Sequence, residues 1–334
     1  MRIAVRYVLA GLLTFTVLAG AAGAARAAAQ QADAAQAAAG LRAMYYARDY
    51  EGALARGDEL TARFPDSVRI RAWLVAAASR ADSPADIAAA RALTEQHPDD
   101  PWAWFALAAA SRNDSDDEEI GLAASAKAME LLPDDADIVW MRAQTLSIFD
   151  ARDDAVALID EHLASVDDPA EMLAAKAYML YQDSFGSDGR DPELIDAALR
   201  LFEEARAANA DNVHAHFLAG TALSGLRRNE EAIPLLDEAA RLSPLAPSIR
   251  SAQWRAIIGS LELDAEEKQA RVEAGIADFL ERTAGDPARE PAALQTVKSA
   301  LDQLGLEEER MTIEDRILDR YPDSPQAEWV YVDR

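Results

Sequence analysis

An all-α solenoid of antiparallel helix pairs is predicted, on three observations. Prolines recur at a near-constant interval, the apolar residues between them keep helical spacing, and similar short polar turns follow several of those prolines. No segment sustains the period-2 alternation with Val, Ile and Thr that a strand needs, so no strand is expected. The 334 residues are 50% apolar and 28% charged, enough apolar surface for a real core. At ~150 residues per domain the length suits two globular domains or one elongated array. The proline interval favours the array.

The first 29 residues read as a targeting segment. Arg2 and Arg6 precede an uncharged apolar run from Tyr7 to Gly20, and small residues with A-x-A patterns follow as far as Ala29. That is the three-part layout of a cleavable signal peptide, with cleavage expected after Ala27 or Ala29. A permanent anchor is the competing reading, but a span needs ~20 strongly apolar residues and the second half here is Ala and Gly. The expected location is the periplasm or outside the cell. Residues 30–40 (QQADAAQAAAG) read as a linker or the start of a helix, 41–329 as the array, and 330–334 as a short tail.

Pro65, Pro98, Pro133 and Pro169 are separated by 33, 35 and 36 residues, and Pro244, Pro287 and Pro322 follow at intervals of 75, 43 and 35. The interval of 75 holds two repeats, with Ala210 where the middle proline would fall. The contexts FPDS, HPDD, LPDD and YPDS pair a residue that stops one helix with Asp or Ser able to cap the next. QDSFGSDGRDP (182–192) is a swollen loop between helices, and LELDAEEKQ (261–269) marks a lengthened pair.

Residues 213–246 are the clearest copy. Ala219, Gly220 and Leu223 share a face of its first helix, and Ala232, Leu236, Ala239 and Leu242 share the opposing face of its second. Small residues at 220, 232 and 239 allow two helices to approach closely. This copy resembles the tetratricopeptide repeat, with its small residue mid first helix, two alanines in the second and a closing proline. Weaker copies keep Ala128, Leu131 and Pro133; Tyr50 and Ala53; or Ala198, Phe202 and Ala205. The resemblance covers roughly 41–329, or about eight repeats, and implies a right-handed superhelix whose first helices line a concave groove.

That register places His214, Phe217, Thr221 and Ser224 on the concave side, with Trp140, Gln144 and Ser147 from an earlier repeat and Ser251 and Arg255 from the next. An aromatic among small polar groups suits a peptide or protein partner. Packing between repeats is the competing role for Trp140 and Phe217. Trp102, Trp104 and Phe105 read as core plus edge rather than a ligand cage.

Chemical motifs are sparse. The 33 basic against 59 acidic residues give a net charge of −26, which argues against nucleic acid and favours a basic partner by steering. The absence of cysteine excludes disulfides, thiolate nucleophiles, Cys-ligated zinc and a lipidated N-terminal cysteine. His214 and His216, two apart, point to opposite sides of a helix and cannot chelate one metal together. NDSDDEEIG (113–121) lacks the glycine and glutamate of a calcium loop, and Ser115 with Glu118 reads as a capping box. The Lys/Asn clamp for C-terminal carboxylates known in the repeat family is not formed by any of the four lysines. No catalytic, cofactor or metal site is expected. The expected function is a non-catalytic interaction scaffold of the bacterial envelope, with a regulatory module of an envelope hydrolase as the alternative.

Overall fold

The computed structural model describes residues 28–81, 87–149, 151–166, 168–186 and 189–333. The expected signal segment lies outside them up to residue 27. The described residues form an all-α solenoid of eight successive helix pairs and a closing helix.

The first pair is α1 (28–46) with a second helix broken at Arg56 into α2 (Tyr50–Ala55) and α3 (Gly57–Arg63). Residues 30–40 are therefore helical, inside α1. The following pairs are α4 (Val68–Ala78) with α5 (Ile87–Gln96), α6 (Pro101–Ala110) with α7 (Glu118–Leu131), and α8 (Ala136–Ile148) with α9 (Arg152–His162). Then come α10 (Ala170–Asp183) with α11 (Pro192–Ala208), α12 (Val213–Gly225) with α13 (Asn229–Leu242), α14 (Pro247–Gly259) with α15 (Ala265–Thr283), and α16 (Glu290–Leu304) with α17 (Glu307–Arg320). Helix α18 (Pro325–Asp333) closes the array, and its Val330 is buried rather than part of a loose tail.

The turn chemistry works as its sequence suggests. Ser67, Asp100, Asp135 and Ser324, each two residues after a ruler proline, accept backbone N–H groups of the helix that follows. The expected capping box of Ser115 with Glu118 falls on a side chain outside the described ones; helix α7 follows a 3-10 turn at Ser115–Asp117, with no side-chain cap from Asp117. A reciprocal box opens α15, between Asp264 and Glu267. The swollen loop at 182–192 carries a two-residue ladder, β1 (Phe185–Gly186) against β2 (Gly189–Arg190), where no strand was expected.

Close helix approach is visible at Gly220, where a Cβ would lie 2.6 Å from Leu236 Cγ and 3.3 Å from the Ala232 carbonyl oxygen. Ala232, Leu236 and Ala239 are completely buried in that contact. The turn between first and second helix takes a left-handed residue in three pairs: Arg48 (φ 60°), Arg227 (φ 61°) and Gly305 (φ 72°). First helices of neighbouring pairs pack side by side, for example α4 on α6, α10 on α12 and α14 on α16. Trp73, Trp102 and Phe105 form one aromatic core cluster, with Trp73 5.1 Å from Phe105 and 5.9 Å from Trp102 between centroids. Trp104 sits at the edge and donates to the Pro98 carbonyl at 2.8 Å.

Candidate functional site

The face formed by the first helices is the candidate site, and the chain's own first repeat docks on it. The end of α1 and the turn at 47–49 reach residues up to 240 positions away. Arg42 Nε donates to both oxygens of Asp137, at 2.8 and 2.7 Å, and the Tyr46 hydroxyl donates to the same carboxylate at 2.9 Å. Asp137 stands in the first turn of α8, is nearly buried, and also faces Arg69 at 3.6 Å. Burial, with Asp137 close by, pushes the Tyr46 hydroxyl well above the usual tyrosine range.

Beyond Tyr46 the turn crosses to later repeats. Arg48 Nε donates to Ser248 Oγ on α14 at 3.0 Å, and its guanidinium lies 4.1 Å from the Phe217 ring centroid on α12. Ser243, ending α13, donates its hydroxyl to the Ala47 carbonyl at 2.5 Å. Arg289, preceding α16, grips Asp49 bidentately at 3.0 and 2.8 Å and holds Asp286 at 2.7 Å. The three carboxylate contacts outweigh burial and raise the Arg289 pKa above its ordinary value. Asp49 simultaneously caps α2 through Gly52 N–H at 3.1 Å. One turn thus joins the first repeat to the sixth, seventh and eighth.

The expected groove residues take three kinds of position. Trp140 and Phe217 are buried, at 3% and 8% exposure, against that turn rather than open to a partner. Trp140 lies 5.8 Å from Tyr45 and 5.5 Å from Tyr46, its indole nitrogen without a protein acceptor. His214 pairs with Glu171 at 2.7 Å beside them, whereas His216 bonds to the Ala210 carbonyl, so the two histidines diverge as their spacing requires. Gln144 faces Arg112 at 3.4 Å and Ser147 is buried. Ser224 bonds to Asn229, Thr221 is half-buried with its hydroxyl unpaired, and Ser251 accepts from an exposed Arg255 at 3.2 Å. Thr221, Ser224, Ser251 and Arg255 lie outside the contacts made by the turn.

Arg42, Tyr45 and Arg48 also meet this face, beyond the residues expected there, and the sequence carries a signal for them. Superposing the left-handed turn residues Arg48 and Arg227 puts Arg42 and Tyr45 at the concave positions of Thr221 and Ser224. Among the described residues no group of His, Asp and Glu is arranged to hold a metal, and no helix is long and apolar enough to cross a membrane.

No family model and no curated protein matches the chain. Solved structures do. A chain of the APC/C hetero-tetramer Cut9–Hcn1 is 11% identical with a TM-score of 0.51, over 86% of this chain and 53% of that one. A monomeric mutant of IFIT1, solved with Gppp-AAAA, is 13% identical with a TM-score of 0.52, over 83% and 65%. YrrB, described as a TPR protein with an unusual peptide-binding site, is 20% identical over 62% of this chain, at a TM-score of 0.37. The chain spans only about half to two thirds of the length of the first two, 53% and 65%. What the first two likenesses show is the fold alone, a solenoid of tetratricopeptide-repeat type.

Proposed function

We propose that the chain is a non-catalytic protein-interaction scaffold of the bacterial cell envelope. It receives a protein or peptide along the first helices α12 and α14. The supporting observation is that the first repeat covers Trp140 and Phe217, whereas the half-buried Ser224 and Ser251 and the exposed Arg255 lie outside its contacts; the Thr221 hydroxyl is buried and out of a partner's reach. Small polar groups of this kind set the register of a bound segment through hydrogen bonds, while a charge of −26 draws a basic partner to the surface. The envelope location rests on the signal-like residues 1–29. A pull-down with exported full-length protein tests the reading. Ser251→Arg with Arg255→Glu should lose the captured partner at unchanged melting temperature. Capture that survives both changes places the interaction elsewhere.

A further inference from the structure

We infer that the uncovered face of α18, with Met311 beside it on α17, docks one basic amphipathic helix of a partner protein. This surface is separate from the concave groove. Four of the seven large apolar side chains exposed among the described residues stand on these last two helices: Met311 at 47%, Trp329 at 40%, Tyr331 at 62% and Val332 at 85%. The outer face of a terminal repeat is ordinarily polar, because nothing stacks on it. An apolar end of this kind marks a contact surface.

The repeat register fixes the shape that fits there. Asn212 and Ser324 cap α12 and α18 alike, each accepting the backbone N–H three residues on, at 2.7 and 3.2 Å. Aligning the two caps matches Ala215 to Ala327 and Leu218 to Val330, all four buried, and Gly220 to Val332. Gly220 is where α12 meets its own second helix, beside Leu236. Helix α18 is thus the first helix of a ninth pair, and no described residue supplies the second. Aligning the left-handed turn residues Arg227 and Gly305 matches Met311 to Ile233, which is 7% exposed in the sixth pair, where a further pair follows. The space beside α17 and α18 is therefore that of a helix. Two observations choose its occupant. Val332 in place of glycine bars the close crossing made at Gly220, so the fit is to a helix at the ordinary separation of ~8–10 Å, not to another second helix of the array's own kind. The surrounding charge is acidic. Glu328 lies between Tyr331 and Trp329 on the exposed arc of α18, and the exposed Glu308 and Asp319 share the side of α17 that carries Met311. A second copy would bring the same acids and a net charge of −26, which opposes self-association here. Lysines and arginines flanking an apolar stripe satisfy both the acids and the apolar face.

The test titrates the full chain into a labelled synthetic helix of about five turns, leucine at i, i+3, i+4 and i+7 spacing and lysine elsewhere, and reads anisotropy. Physiological salt screens unspecific attraction to the acidic surface. Saturable one-to-one binding is expected. Combining Met311→Ser with Val332→Ser should weaken it at least about tenfold at unchanged melting temperature, because both side chains are exposed. Leu261→Ser, at an exposed apolar residue after α14, should leave it as it was. A peptide with the same lysines and alanine for leucine should also bind at least about tenfold more weakly. No saturable binding overturns the inference, as does binding that survives the double change or that Leu261→Ser weakens equally. Equal binding of a peptide with glutamate for lysine overturns the basic partner. A dimer seen by sedimentation and dissolved by the double change, or phosphatidylcholine vesicles held through this face while the peptide is not, overturns it too, by making the occupant a second copy or a membrane.

Discussion

Replacing Gly52 with alanine pits local helix preference against the long-range contact between the first and eighth repeats. Within a helix Ala is favoured over Gly by about 1 kcal/mol, so α2 taken alone predicts stabilisation. The structure predicts the opposite. A Cβ at Gly52 would stand 2.0 Å from Arg289 Nη2 and 2.3 Å from Asp49 Oδ2, so the two charged groups must part. Exposed ion pairs contribute about 0–1 kcal/mol and breaking a buried one costs about 3–5 kcal/mol. Side chains 18% and 13% exposed, in bidentate geometry, fall between, at about 2 kcal/mol. Less the helix gain, Gly52→Ala should destabilise by about 1 kcal/mol. In an Arg289→Ala background the pair is already absent and Asp49 can swing back to an ordinary cap. There the same substitution should be neutral or stabilising by up to about 1 kcal/mol. Urea unfolding of the four proteins in this cycle measures the coupling directly. Stabilisation by Gly52→Ala in the otherwise natural chain would mean that the Asp49–Arg289 pair is not formed in solution.

Other expectations follow from single contacts. Glu290 is fully buried, and burial alone would raise its pKa; Tyr321, the Gly285 N–H and Arg316 outweigh that and hold it below its ordinary 4.5. Its stabilising effect is therefore complete above that value and lost as pH falls through the lowered one, so Glu290→Gln, which leaves the partly exposed Arg316 and Arg320 to water, should cost about 2 kcal/mol at neutral pH and flatten the acid limb of a stability–pH curve. Ala239→Leu should cost about 1–3 kcal/mol by overpacking the α12–α13 contact, whereas Glu204→Gln on the exposed side of α11 should leave melting unchanged. Trp140→Ala should cost about 3–5 kcal/mol in chemical denaturation, because its ring packs against Tyr45 and Tyr46.

The local rules were legible in the residues and the closure was not. Pro65 with Ser67, or Pro98 with Asp100, encodes a stop and a start within three residues, and small residues at 220, 232 and 239 encode a close crossing. These signals act over one turn or one helix pair and recur, so repetition exposes them. Asp49 with Arg289, or Arg48 with Ser248, joins residues 240 and 200 positions apart, and nothing in either local pattern names the other. The curvature accumulated over seven pairs decides whether they meet. Glu230 shows the same limit at shorter range. Its helical register puts it on the solvent side, yet it accepts from Leu261 N–H at 2.8 Å and Ser260 Oγ at 3.0 Å and so holds the turn after α14. The expected groove residues do fall on the first helices α8, α12 and α14, but which of them stay uncovered depends on where the first repeat comes to rest.

That resting place decides which groove residues stay uncovered, and the chain's lack of cysteine makes it directly measurable. Ala47→Cys with Ser243→Cys places one thiol on the first turn and another at the end of α13, where Ser243 Oγ now meets the Ala47 carbonyl at 2.5 Å. A short bifunctional thiol reagent, applied to the folded monomer and read by mass spectrometry, should join the two rapidly within one chain, with no link in denaturant. Failure to crosslink in the folded state, with both thiols reactive to a monofunctional reagent, would mean an open superhelix whose first repeat does not dock on the later ones.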